Sequence, residues 1–135
     1  MQEAIHQASL AKDNGELPFG CVVVRDGKVV GRGRCSEKND NSVLSHAETN
    51  ALLEACHNLN YTDLSKCAIY CTNEPCLMCA AAIFQAKIPS VFIGLSRSDN
   101  PKLRKRNLSI KDLAADSGYK IDLSYGILKD EIAKL

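Results

Sequence analysis

The stretch that decides the fold is KCAIYCTNEPCLMCAAAIFQAKIPSVFIG, residues 66–94. Lys66–Cys71 is a short apolar run rich in β-formers and reads as a buried strand. Pro75 opens a helical pattern that continues through about Lys87, and Pro89 closes it. Ser90–Gly94 is again a buried strand. Strand, helix and strand in this order predict a right-handed crossover and parallel pairing.

Upstream, the spacing predicts a helix over about His46–His57, with Ala47, Leu52, Leu53 and Ala55 among its apolar positions. It is preceded by a polar loop, CSEKNDNSVLS. Cys21–Val24 and Val29–Gly33 flank Asp26–Gly27, a strong hairpin signal. Residues 1–13 carry Ala4, Ile5, Ala8 and Ala11 at helical spacing, stopped by Asn14–Gly15. Downstream, Ser109 is placed to cap a helix that ends at Gly118. Lys120–Leu123 reads as a fifth strand and Leu128–Leu135 as a final helix. The expected fold class is therefore α/β, a three-layer α/β/α sandwich around a five-stranded mixed sheet. The chain is expected to form one domain, residues 1–135.

Two motifs sit where this fold places ligand sites, beyond the ends of strands and at the starts of helices. They are HAE at His46–Glu48 and PCLMC at Pro75–Cys79. Together they offer one imidazole, two thiols and one carboxylate. His46, Cys76 and Cys79 make the three protein ligands of a catalytic Zn²⁺, which keeps a fourth position for water. Cys76 and Cys79, three apart on a helix, share a face. His46 and Glu48 can converge only near the first turn of their helix, and that placement is expected. Two thiolates formally cancel the metal's charge, so the bound water needs a nearby acceptor, and Glu48 is the unligated carboxylate placed to serve. A ring carbon bearing an exocyclic amine beside a ring nitrogen suits such a sequence of proton transfers. Thr72, Asn73 and Glu74 are expected to form the strand-to-helix turn.

Other readings of these residues stand beside this one. A non-catalytic structural zinc module needs a fourth ligand, for which Cys71 is nearest. A thioredoxin-like redox pair at Cys76 and Cys79 would leave His46 and Glu48 without a role. Of the seven cysteines, Cys21, Cys67 and Cys71 lie in strand-like runs and Cys56 on a helical pattern, where free cysteine packs as a small hydrophobe. An odd number argues against a secreted disulfide framework, so reduced thiols and a cytoplasmic location are expected. His6 and His57 read as surface residues. With 17 basic and 16 acidic residues, net charge gives no general argument for nucleic acid or membrane. Arg97–Arg106 is the one concentrated charge, with five basic residues and one acid. It reads either as a solvated loop or as a guide for a phosphate-bearing substrate or RNA.

The motif pair resembles the zinc-dependent cytidine and deoxycytidylate deaminase superfamily, over about Gly15 to Asp130. The resemblance implies a cytidine deaminase-like fold and hydrolytic release of ammonia. It also implies one Zn²⁺ on His46, Cys76 and Cys79, Glu48 as proton shuttle, and a substrate contact from the Ala47 amide. LPFG, residues 17–20, is similar to the guanine deaminase branch. EPCLMC and GILKDE are similar to bacterial tRNA adenosine deaminases, and yeast-type cytosine deaminases share the layout. Those branches carry a base-binding asparagine eleven residues before the zinc histidine; here Cys35 stands there, and a thiol cannot reproduce an amide's paired contacts. Asn39 or Asn41 on the same loop is one substitute, a different ligand the other possibility. Phe19, Cys35, Asn73 and Glu74 complete the expected substrate-binding set. The tRNA-editing branch has a small-residue loop where this chain carries its basic stretch, which favours a free nucleobase or nucleoside, guanine-like or cytosine-like. A tRNA adenosine-to-inosine deaminase is the alternative. Relatives with this layout assemble as dimers, which implies a homodimer. Several also have a longer C-terminal segment than the one ending here at Leu135, which implies a partner subunit over the pocket or a more open pocket.

Overall fold

Asp26 and Gly27 both take positive φ, 50° and 74°, and reverse the chain between β1 (Gly20–Arg25) and β2 (Lys28–Arg34). The computed structural model describes all residues except 101, 102, 104 and 105, so part of the basic stretch Arg97–Arg106 lies outside the described residues. The other elements are α1 (Gln2–Asp13), α2 (Ala47–Leu59), β3 (Ala68–Asn73), α3 (Leu77–Gln85), β4 (Ser90–Leu95), α4 (Ile110–Ser117), β5 (Asp122–Ser124) and α5 (Lys129–Ile132). Their order is the one the sequence predicts.

The five strands form one sheet in the order β2-β1-β3-β4-β5. β1 is antiparallel to both β2 and β3, whereas β3, β4 and β5 run parallel, as the two helical crossovers require. On one face, Cys21 and Val23 of β1, Ile69 and Cys71 of β3, and Val91 and Ile93 of β4 pack against α2 and α3 through Ala51, Leu52, Ala80 and Ile83. Ile69, Ile83 and Ile93 are completely buried. Each contributes roughly 1.5–3 kcal/mol relative to exposure. Ile110 joins α4 to the same core. α1 and α5 cover the opposite face, where Gly20 and Gly94 point.

α2 sits on the sheet by close approach of backbone to backbone. A methyl group at Gly33 would stand 2.0 Å from the Ala47 carbonyl oxygen, and one at Gly31 would stand 2.2 Å from that of Ala51. Only glycine admits backbone on backbone at this distance.

Several boundaries differ from the sequence reading. β3 extends through Asn73, because Asn73 pairs with Leu95 and the Glu74 amide donates to the Leu95 carbonyl. β5 and α5 are shorter than predicted. Cys21, Cys67 and Cys71 are buried and Cys56 half-buried, in keeping with their reading as small hydrophobes. Among the described residues, no helix is long and apolar enough to cross a membrane.

Candidate metal centre and active-site cavity

Two helix starts converge beyond the ends of the central strands, and each delivers a ligand from its cap position. His46 is the N-cap of α2, with φ −83° and ψ 159°. Its amide donates to Thr49 Oγ1 at 3.1 Å, which closes the first turn. Cys76 is the N-cap of α3, with φ −71° and ψ 170°. Pro75 therefore precedes the cap and does not open the helix: Cys76 must be extended to present its thiol, so the helix begins at Leu77. Cys79 follows within the first turn. His46 and Glu48 converge as expected, one at the cap and the other inside the first turn of α2.

His46 Nδ1 lies 3.6 Å from Cys76 Sγ and 3.4 Å from Cys79 Sγ, and the two sulfurs are 3.6 Å apart. A tetrahedral Zn²⁺ with Zn–S of about 2.3 Å and Zn–N of about 2.0 Å sets sulfurs about 3.8 Å apart and sulfur about 3.5 Å from nitrogen. The triangle matches that geometry, and among the described residues this trio is the group that could hold a metal. Cys71 is not part of it. Its Sγ lies 3.6 Å from that of Cys21, in the buried strand pair β1/β3, so the fourth ligand of a closed structural site is not supplied.

The electrostatics follow from the contacts. The hydrogen bond with Cys79 and the nearby His46 hold the Cys76 thiol down to about 3. The same sulfur pushes His46 up to about 9, and it joins burial in pushing the Cys79 thiol well up. Both helix N-termini add positive potential where thiolates must form. Glu48 is buried, and desolvation raises its carboxyl above the usual range.

A cavity of about 300 Å³ opens over the trio. His46, Ala47, Glu48 and Cys76 form one part of its wall, and Phe19, Cys35, Asn73 and Glu74 another, so the whole expected substrate-binding set meets there. Arg97 and Arg106, from the ends of the basic stretch, also line it. Asn73 is fixed by its neighbours: Nδ2 donates to Thr72 Oγ1 at 3.1 Å and Oδ1 accepts from Asn100 Nδ2 at 2.7 Å. Glu74 accepts the Arg97 amide at 2.8 Å. Cys35 is 2% exposed, and its Sγ lies 4.0 Å from Glu16 Oε2 and 3.9 Å from Glu37 Oε2. Burial pushes its thiol up, so it stays neutral between two carboxylates. Neither asparagine of the loop takes its place: Asn39 is exposed and donates to the Asn14 carbonyl at 3.3 Å, and Asn41 is exposed at the left-handed φ of 49°.

The sequence reading does not single out Glu37. It sits in a polar loop with no periodicity, and its place depends on how that loop closes. Here it lines the cavity, with Oε1 3.5 Å from His46 Nε2.

The model of the cytidine and deoxycytidylate deaminase zinc-binding region matches residues 1–95. A tRNA-specific adenosine deaminase of Streptococcus pyogenes serotype M18 is 41% identical over 97 residues, covering 71% of this chain and 60% of that protein. The chain thus spans 56–60% of the Streptococcus pyogenes relatives it matches. A tRNA-specific adenosine deaminase of Buchnera aphidicola subsp. Schizaphis graminum is 33% identical over 138 residues, covering 100% of this chain and 87% of its own. A structure solved in studies of A-to-I editing by tRNA:A34 deaminases superposes with a TM-score of 0.87 at 31% identity, covering 99% of this chain and 96% of that one. The chain belongs to the zinc-binding cytidine and deoxycytidylate deaminase family.

Proposed function

We propose that this chain is a zinc-dependent hydrolytic deaminase that converts adenosine to inosine in tRNA. The observation that carries the chemistry is a buried carboxylate, Glu48, that lines one cavity with His46 and Cys76, two corners of a His46–Cys76–Cys79 triangle of zinc dimensions. The similarity to tRNA-specific adenosine deaminases supports the substrate and shifts the reading away from the free guanine- or cytosine-like base expected from sequence.

His46, Cys76 and Cys79 would hold Zn²⁺, which when bound supplies Lewis-acid activation of water. Glu48 takes a proton from that water and returns it to the ring nitrogen beside the reacting carbon. It then assists proton delivery to the departing amine. Water and the ring N=C–NH₂ group become HN–C=O and NH₃. A raised carboxyl pKa suits a group that must both accept and donate. Phe19 packs on the base, and Asn73, Glu74, Cys35 and the Ala47 amide supply polar contacts at its edge. The full chain acts as one deaminase domain in this reading, and a second copy pairs with it as a homodimer.

A free base is the second reading, favoured by the LPFG string at residues 17–20, and a cavity of about 300 Å³ admits one base under either reading. One assay separates the two. Zinc-loaded protein is given a tRNA anticodon stem-loop with adenosine at the wobble position, and separately guanine, cytosine, adenine and their nucleosides, with inosine and ammonia measured. Inosine in the RNA is the expected result. Ammonia from a free base alone favours the second reading, and no turnover of any compound overturns both.

A further inference from the structure

We infer that Glu37 is a positioning residue for His46: its carboxylate faces Nε2 at 3.5 Å, favours the ring proton on that nitrogen and so keeps the Nδ1 lone pair turned to the metal. The inference rests on the reading of His46, Cys76 and Cys79 as zinc ligands. A neutral imidazole carries its proton on one nitrogen or the other, and only an unprotonated Nδ1 can ligate here. The ring faces two environments. Nδ1 looks at the sulfurs, 3.6 and 3.4 Å away, and Nε2 looks at Glu37 Oε1, 3.5 Å away. A carboxylate on the far nitrogen selects the tautomer that metal binding needs.

Glu37 is able to do this because its loop is anchored on both sides. Before it, Ser36 donates its amide to the Ser45 carbonyl at 3.0 Å, and Asn50 of α2 donates to Ser36 Oγ at 3.1 Å. After it, the buried carboxylate of Glu16 accepts the amides of Lys38 at 2.9 Å and Asn39 at 2.8 Å. The Glu37 carbonyl itself accepts the Ser42 amide at 3.0 Å. The loop is thus tied to the helix that carries His46, and carboxylate and ring keep a fixed relation. The side chains of His46 and Glu37 are 28% and 36% exposed, so their contact adds little to fold stability, and its effect falls on ring orientation.

The test uses the full chain stripped of metal and reloaded with Zn²⁺ or Co²⁺. Zinc affinity is read by competition with a chromophoric chelator, and ligand geometry by the visible bands of the cobalt form. Glu37→Ala should bind zinc about 10–100-fold more weakly, with shifted cobalt bands. Glu37→Gln, whose amide oxygen presents negative partial charge to Nε2 from the same place, should recover most of the affinity. Unchanged affinity in the alanine variant overturns the inference, as does a glutamine variant as weak as alanine. Should a variant fail to fold, the zinc-loaded parent decides: slow solvent exchange of the His46 Nε2 proton supports the assignment, and exchange at the rate of a free imidazole overturns it. Failure of the parent to bind zinc would strike the ligand set itself, a separate result.

Discussion

Glu48 combines burial with a proton-transfer role, and the two are separable by a change of one atom. Glu48→Gln keeps the volume and removes the base. Turnover should fall by roughly 10²–10⁴-fold while zinc stoichiometry, read by metal analysis, stays at that of the parent. The pH response of the ligands follows from the protons they hold before the metal arrives. His46 is pushed up to about 9 and the Cys79 thiol is pushed up as well, so both hold protons near neutrality. Zinc must displace those protons, since it binds thiolate and neutral imidazole. Affinity should therefore rise with pH through the neutral range and fall with acidification. Calorimetry in buffers of different ionisation enthalpy should show proton release on zinc uptake. These four residues were legible in the sequence because ligand chemistry and spacing coincide in two short strings. Glu37 was not, since a glutamate in a loop of Ser, Lys, Asn and Asp carries no signal until the loop closes on Glu16 and Asn50.

Secondary-structure elements contribute through their ends. α4 begins and ends where the sequence indicates, with Ser109 Oγ accepting the Asp112 amide at 3.2 Å and Gly118 at a φ of 68°. Ser109→Ala should cost about 1 kcal/mol in denaturant unfolding and leave zinc content unchanged. α3 was misplaced at its start because proline favours the first helical position as a rule. Here Cys76 is the cap and Leu77 the first helical residue, so Pro75 stands two positions before the helix. The seat of α2 on β2 is a different case. Gly33→Ala forces a methyl group onto the Ala47 carbonyl, next to His46. Overpacking of this kind costs about 1–3 kcal/mol. It should lower the unfolding midpoint and weaken zinc binding together, a pairing that Ser109→Ala should not reproduce.

For the molecule as a whole, alternating helices and strands made the crossovers and the parallel half of the sheet readable. The placement of the hairpin was less so, because the first two strands carry no mark of which one meets β3. Pairing settles it in favour of β1, with Cys21 opposite Cys71 and Val23 opposite Ile69. The functional prediction at this scale concerns charge at the cavity mouth. Arg106 is exposed and lines the cavity. If RNA is the substrate, Arg106→Ala should weaken stem-loop binding and reduce the magnitude of its salt dependence by about one phosphate contact, measured by titration across salt concentrations. Zinc content should not change. The glycine seam between β2 and α2 has a further bearing on how any substrate is received. Nothing larger than the Ala55 methyl meets Gly31 and only backbone meets Gly33, so that part of the support has no rotamers to immobilise when a base settles on the metal. Affinity there is spared an ordering entropy that a side-chain-packed mount would incur, and the wall carrying His46 and Glu48 stands preorganised before the ligand arrives.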